Sequence, residues 1–304
     1  MSVKHPIISV TGSSGAGTTS VKRTFERIFH RENINAAFIE GDAFHRYDRV
    51  EMKRVMVKEA ENGNNHFSHF GPEANLLDEL ESTFRQFGEN GSGKTRHYVH
   101  DDDEAESYGS DPGTFTEWEE VPEDTEMLFY EGLHGAVVKD DINLAQHCDL
   151  KIGVVPVVNL EWIQKIHRDN LDRGYSHAAI KDTILRRMPD YLDYITPQFS
   201  ETDINFQRVP TVDTSNAFCA RWIPTPDESM VVIRFANPKG IDFLYLTSMI
   251  QNSFMSRANS IVIPGGKMDL AMQLILTPMI LQLMERSRRA GNPRRNIKAI
   301  QKTA

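Results

Sequence analysis

The chain reads as an α/β protein with a mostly parallel (mixed) sheet and helices on both faces. Three observations predict this class. Short β-branched apolar runs alternate with stretches whose apolar residues recur at helical spacing. Those runs are apolar throughout rather than every second residue, as in strands covered on both faces. The 304 residues, 39% hydrophobic and 25% charged, are enough to enclose one sizeable core.

In chain order, "PIISVTG" is a buried strand, followed by glycines and then "TTSVKRTFERIFHRENI". In that segment Val21, Phe25, Ile28 and Phe29 mark the inner face of a helix. "AAFIEGD" is a second strand ending on a carboxylate. "DRVEMKRVMVKEAENG" and "PEANLLDELESTFRQFG" are helices, each closing on glycine. "TEMLFYEGLHG" and "DLKIGVVPV" are further strands, and "NLEWIQKIHRDNLDRG" and "SHAAIKDTILRRM" further helices. Past about residue 195 the pattern changes. "SMVVIRFAN" and "NSIVIPGG" read as strands, with "DFLYLTSMIQNSFM" as a helix between them. "KMDLAMQLILTPMILQLMERSRRAG" is a long helix that Pro278 should kink or divide. The organisation expected is one domain over 1–290, with a core at 5–195, a C-terminal β/α portion at 196–290 and a basic tail at 291–304. Residues 101–124 carry eleven acidic side chains and no Lys or Arg, and read as a long solvated loop.

The net charge of −9 argues against a nucleic-acid partner. No apolar run approaches the roughly 20 residues of a membrane span. The start of the chain enters a strand at once, without the look of a targeting segment. Cys148 and Cys219 are too few for a disulfide framework, so a reducing, cytoplasmic setting is expected.

Two strings compete for the role of phosphate loop. "GENGSGKT", residues 88–95, fits G-x-x-x-x-G-K-[ST] letter for letter, whereas "GSSGAGTT", residues 12–19, has Thr18 in the lysine position. Backbone N–H groups cradle phosphate only where a strand delivers the loop and a helix leaves it. The N-terminal string has both flanks; the later one follows a helix and enters an acidic loop. Nucleotide is therefore assigned to Gly12, Ser13, Ser14, Gly15, Ala16, Gly17, Thr18, Thr19 and Ser20, the alternative being a plain glycine turn. Thr18 and Thr19 offer hydroxyls for Mg²⁺. The missing lysine charge must come from elsewhere if phosphoryl transfer takes place.

Asp42, just past a strand end, stands where open parallel sheets bind ligands and is a candidate general base; a loop or capping aspartate is the alternative. Glu131 ends another strand and is placed to approach Mg²⁺. On one helix Lys165, Asp169 and Arg173 share a face, with Arg168 beside them. Such a face is either a solvated salt-bridge row or a lid bringing cations to the γ-phosphate. His45, Arg46 and Arg49 follow Asp42 closely, and Arg186 and Arg187 add further charge. Arginines beside a base suit an anionic acceptor such as a sugar phosphate.

Longer strings carry a resemblance. "ISVTGSSGAGTTSVKRTF", "IEGDAFHR", "FSHFGPEAN", "YVHDDDEA", "LFYEGLHGAV", "IGVVPVVNLEWIQKIHRD" and "FSETDINFQRVPTVDTSN" together resemble the bacterial phosphoribulokinase branch of the phosphoribulokinase/uridine kinase family, from about residue 5 to 290. The resemblance implies a phosphate-loop fold like that of nucleoside monophosphate kinases. It implies ATP and Mg²⁺ as cofactors and ribulose 5-phosphate as substrate, in the Calvin cycle. By it, Asp42 is the general base, Glu131 and Asp169 are the acids at Mg²⁺-ATP, His45, Arg49 and Arg173 bind sugar phosphate, and Lys165 and Arg168 act in transfer. It also implies a homo-oligomer, often an octamer, activated by NADH and inhibited by AMP. Arg31, Arg234 and Arg257 are candidate effector contacts, or else surface ion pairs.

Overall fold

The computed structural model describes residues 4–13, 18–171 and 174–291, without the side chains of residues 18–20. The expected basic tail from 292 onward, and Ser14, Gly15, Ala16, Gly17 and Arg173 among the expected site residues, lie outside the described residues. Eight strands form one sheet: β1 (Ile7–Thr11), β2 (Ala36–Glu40), β3 (Met127–Gly132), β4 (Leu150–Val155), β5 (Ile204–Pro210), β6 (Ser229–Phe235), β7 (Phe254–Arg257) and β8 (Ser260–Pro264). Their order is β7-β8-β6-β5-β4-β1-β3-β2. From β2 to β5 all neighbours are parallel, and β6, β8 and β7 complete the sheet by antiparallel pairing. The mixed α/β class is as the sequence predicts.

Every residue of β1 is buried, because helices cover both faces of this central strand. Period two divides the apolar cargo. Ile8, Val10, Met127 and Phe129 pack with Val21, Phe25, Ile28 and Phe29 of α1 (Thr18–Glu32) on one face. Ile7, Leu128 and Tyr130 meet Leu80, Phe84 and Phe87 of α3 (Leu77–Asn90) on the other. Between these helices in sequence lies α2 (Arg49–Glu61), opened by the Asp48 carboxylate accepting from the Val50 and Glu51 amides.

Several expectations are corrected. The acidic stretch is not plain loop: α4 (Asp102–Tyr108) starts there on an Asp101 side-chain cap and ends on Gly109 at φ 67°. The ribbon Lys94–Thr95 and Glu119–Glu120 closes this segment into a flap. The segment 242–255 is helical only over Phe243–Met249, and its end becomes edge strand β7, because β8 offers an open row of backbone groups. The long helix Met268–Arg289 is not divided at Pro278. Its row of Ala271, Met272, Ile275, Leu276, Ile280 and Met284 buried against the sheet outweighs one lost backbone bond. Strand β5 and the short helical turns over 188–201 have no counterpart among the expected elements.

Candidate active site

The C-terminal ends of β1, β3, β2 and β4 meet on one edge of the sheet, where the chain leaves β1 for the glycine loop and re-enters regular structure as α1. The Gly12 amide donates to Gly132 O at 3.2 Å, and Thr11 Oγ1 to Leu133 O at 3.1 Å, tying the loop's start to the end of β3. "GENGSGKT" has a different setting. Helix α3 runs to Asn90, Gly91 caps it at φ 77°, and Lys94 sits in the ribbon, paired at 3.5 Å with exposed Glu120.

Glu40 ends β2 and lies in register with Glu131 of β3, which in turn pairs with Val10 of β1. Two glycines let these strand ends approach. A Cβ on Gly41 would stand 2.6 Å from Tyr130 Oη and 2.9 Å from Gly132 Cα, which no side chain tolerates. Glu40 is held by Lys22 of α1 in an ion pair. Burial works against that ammonium, but the hydrogen bond and charge of Glu40 outweigh it and raise its pKa. Asp42 sits in the 3-10 turn Gly41–Phe44, with a half-exposed carboxylate.

After β4 comes α5 (Val158–Leu171), on which Glu161, Lys165 and Asp169 recur every fourth residue. Asp169 is buried, with Lys165 Nζ at 2.5 Å and Arg168 Nε at 3.3 Å. Burial, and then the charge of Arg187, push the Lys165 pKa down to about 8 despite Asp169. Glu161 is buried too and accepts from Tyr191 Oη at 3.0 Å. Helix α6 (His177–Arg186) then delivers Arg186 and Arg187.

Two cavities meet at this edge. One, of about 370 Å³, is lined by Lys165, Arg168, Arg186 and Arg187 together with Asp42 and His45. The other, of about 250 Å³, is lined by Gly12, Lys22, Glu40 and Glu131. Asp42, Leu133 and Arg168 belong to both walls. One cavity is thus rich in cations, the other begins at the glycine loop, and a carboxylate and a guanidinium stand at their junction.

Histidines surround Asp42. His45 Nε2 lies 3.6 Å and His100 Nε2 3.7 Å from its oxygens. The His45 ring packs on His69 with centroids 3.8 Å apart. Burial, reinforced by the charge of His134 and His100, lowers the His45 pKa to about 3, so this imidazole is neutral at physiological pH. Burial likewise takes His134 down to about 4 and His69 well below its usual value. Arg49 and Arg46 are turned to main-chain carbonyls: Arg49 to His100 at 2.7 Å, and Arg46 to Glu73 at 3.2 Å and Asn75 at 2.9 Å.

The model of the "Phosphoribulokinase / Uridine kinase family" matches residues 7–215. The phosphoribulokinase of Nitrobacter vulgaris is 72% identical over 287 residues, covering 94% of this chain and 99% of that one. That of Xanthobacter flavus is 72% identical over 291 residues, 96% and 100% of the two chains. The solved phosphoribulokinase from Rhodobacter spheroides superposes with a TM-score of 0.88 at 61% identity, over 94% of this chain and 100% of that one. The chain belongs to the phosphoribulokinase/uridine kinase family.

The donor set suits the Mg²⁺-ATP that kinases of this family use. Among the described residues no three acidic, histidine or cysteine side chains form a metal cage. Mg²⁺ takes one or two carboxylates and completes its shell with phosphate oxygens and water. Glu131, beside the loop cavity, fits that role, whereas Asp169 is engaged by Lys165 and Arg168. Of the three arginines expected to take an effector, Arg234 and Arg257 flank Ser260 in one row of neighbouring strands. Arg31 is apart from that row, donating to Thr277 of the last helix at 2.9 Å. His100 adds to the residues singled out around Asp42, and Arg187, which the sequence offered only as further charge, shares a cavity wall with it. His100 carried no signal beyond its place in "YVHDDDEA", because 58 positions separate it from Asp42 in the chain.

Proposed function

We propose that this chain is an ATP-dependent phosphoribulokinase, transferring the γ-phosphoryl group of ATP to the 1-hydroxyl of ribulose 5-phosphate to give ribulose 1,5-bisphosphate in the Calvin cycle. The observation that carries the reading is the meeting of a loop-side cavity and a cation-lined cavity at Asp42 and Arg168. ATP phosphates belong in the first and the sugar's 5-phosphate in the second, because guanidinium forks match phosphate geometry.

Asp42 accepts the proton of the 1-hydroxyl as its oxygen attacks the γ-phosphorus; the bond to the β-bridging oxygen breaks and ADP leaves. His45, kept neutral by burial, serves to orient the substrate. Lys165 and Arg168 supply the charge that a loop lysine gives elsewhere, and Asp169 holds both in place. Glu131 and the Thr18 hydroxyl would hold Mg²⁺, which when bound offsets charge between the β- and γ-phosphates. The sugar-binding roles of His45, Arg49 and Arg173, the octameric state, the cytoplasmic setting, and NADH activation through Arg31, Arg234 and Arg257 rest on kinship with the bacterial phosphoribulokinases.

A uridine-type acceptor is the rival. Four cations around one cavity are more than an uncharged acceptor calls for. The test is an ADP-release assay of the purified protein with ribulose 5-phosphate and with uridine, each with and without NADH. The expected result is turnover of the sugar phosphate alone, enhanced by NADH. Preference for uridine overturns the substrate, and indifference to NADH overturns the effector.

A further inference from the structure

Arg96 lies in the flap and outside both cavities, yet its surroundings are unusually complete. Its Nε donates to Ala43 O at 2.8 Å and its Nη2 to His45 O at 2.8 Å. Those carbonyls bracket Phe44 and close the turn that carries Asp42. The guanidinium carbon lies 3.6 Å from the Phe115 ring centroid and 4.6 Å from that of Trp118. Trp118 also meets Phe44 edge-on at 5.5 Å, so one aromatic ring touches both the arginine and the turn. Among the described residues Arg96 makes no ion pair with a carboxylate. A half-buried positive charge is therefore directed at two carbonyls and two π faces, an arrangement only a planar fork satisfies.

The flap that Arg96 anchors also bears His100, four residues on, whose ring stands 3.7 Å from Asp42. The segments holding Asp42 and His100 have no short covalent link. Arg96 fastens one to the other, 53 and 51 positions from its two acceptors.

We infer that Arg96 is a positioning residue for phosphoryl transfer, pinning the Asp42 turn to the His100 flap so that base and imidazole face the acceptor hydroxyl together. This rests on the reading of Asp42 as the general base. Beside Gly41, Asp42, His100 and Glu104, the loop-side cavity is lined by Gly12, Lys22, Glu131 and Arg168 of elements that Arg96 does not touch, so nucleotide affinity should depend little on Arg96.

The experiment compares Arg96→Ala, Arg96→Lys and Asp42→Asn in the ADP-release assay, varying ATP and ribulose 5-phosphate in turn and recording melting temperatures. A displacement of about 1 Å at the base costs on the order of 100-fold, so Arg96→Ala should lose that much kcat and raise KM for the sugar phosphate. KM for ATP should stay unchanged. Added guanidinium ion should restore Arg96→Ala in part, methylammonium should not, and Arg96→Lys should remain impaired for want of the second donor. Wild-type kcat in Arg96→Ala overturns the inference, as does full activity in Arg96→Lys. Should Arg96→Ala fail to fold, Phe115→Leu with Trp118→Leu removes the stack: a fall in kcat at constant KM for ATP supports the inference, and unchanged kcat overturns it. An inactive Asp42→Asn beside an unimpaired Arg96→Ala refutes only the positioning role. A fully active Asp42→Asn refutes the general base itself.

Discussion

Replacing Asp42 by Asn retains the size of the side chain and removes its basicity, which makes it the sharpest test of the proposed chemistry. The nearest charged or polar rings, His45 and His100, are 3.6 and 3.7 Å away, beyond hydrogen-bond length, and the carboxylate is 41% exposed. Its loss therefore strands no buried partner, and stability should change by no more than about 0.5 kcal/mol. Catalysis should respond very differently. A positioned general base contributes about 10²–10⁴-fold, which at about 1.36 kcal/mol per decade is roughly 2.7–5.4 kcal/mol of barrier. Steady-state ADP release should show kcat reduced within that range and KM for ATP unaltered, with an unchanged melting curve. A variant retaining more than about a tenth of wild-type kcat would refute the assignment.

Other consequences are equally open to measurement. The Lys165 ammonium is charged below its pKa of about 8 and neutral above it, so kcat/KM should fall as pH rises through that value, and Lys165→Arg should abolish this alkaline limb. With phosphate bound beside it, the same limb in kcat should lie at higher pH. Gly41→Ala would force a Cβ against Tyr130 Oη and the Gly132 backbone, and should cost roughly 1–3 kcal/mol of stability by denaturant titration along with most activity. Lys94→Ala, in the string that fits the phosphate-loop pattern, removes only an exposed pair with Glu120. It should alter stability by at most about 1 kcal/mol and leave KM for ATP unchanged; a large rise in that KM would reinstate the string as a nucleotide site.

Much of this site follows from neighbours in the chain. A strand, glycines and a helix in succession marked the proposed nucleotide loop despite Thr18, and spacing by four placed Lys165 and Asp169 on one helical face. Asp42 and Glu131 were readable because apolar runs stop at them. These are all local signals, set by backbone periodicity and by where burial ends. Strand β5 escaped because Asn205, Gln207 and Arg208 interrupt any apolar run in "INFQRVP", and it becomes a strand by pairing with β4 on one side and β6 on the other. The helical reading of 242–255 failed for a related reason: every residue of Phe254–Arg257 is exposed, and the segment is extended because β8 offers it hydrogen bonds.

The amino-acid string alone therefore determined the α/β class, which segment has the strand and helix flanks that a phosphate loop needs, and which charged residues share one helical face. Folding decided their company. It put His100 beside Asp42, buried His45 and His134 and half-buried His69 as neutral rings, shifted Lys165 toward neutrality and laid Arg96 across the turn that holds Asp42. Desolvation and contact between segments tens of residues apart have no periodic trace in a sequence. They exist only once the sheet has brought its strand ends together.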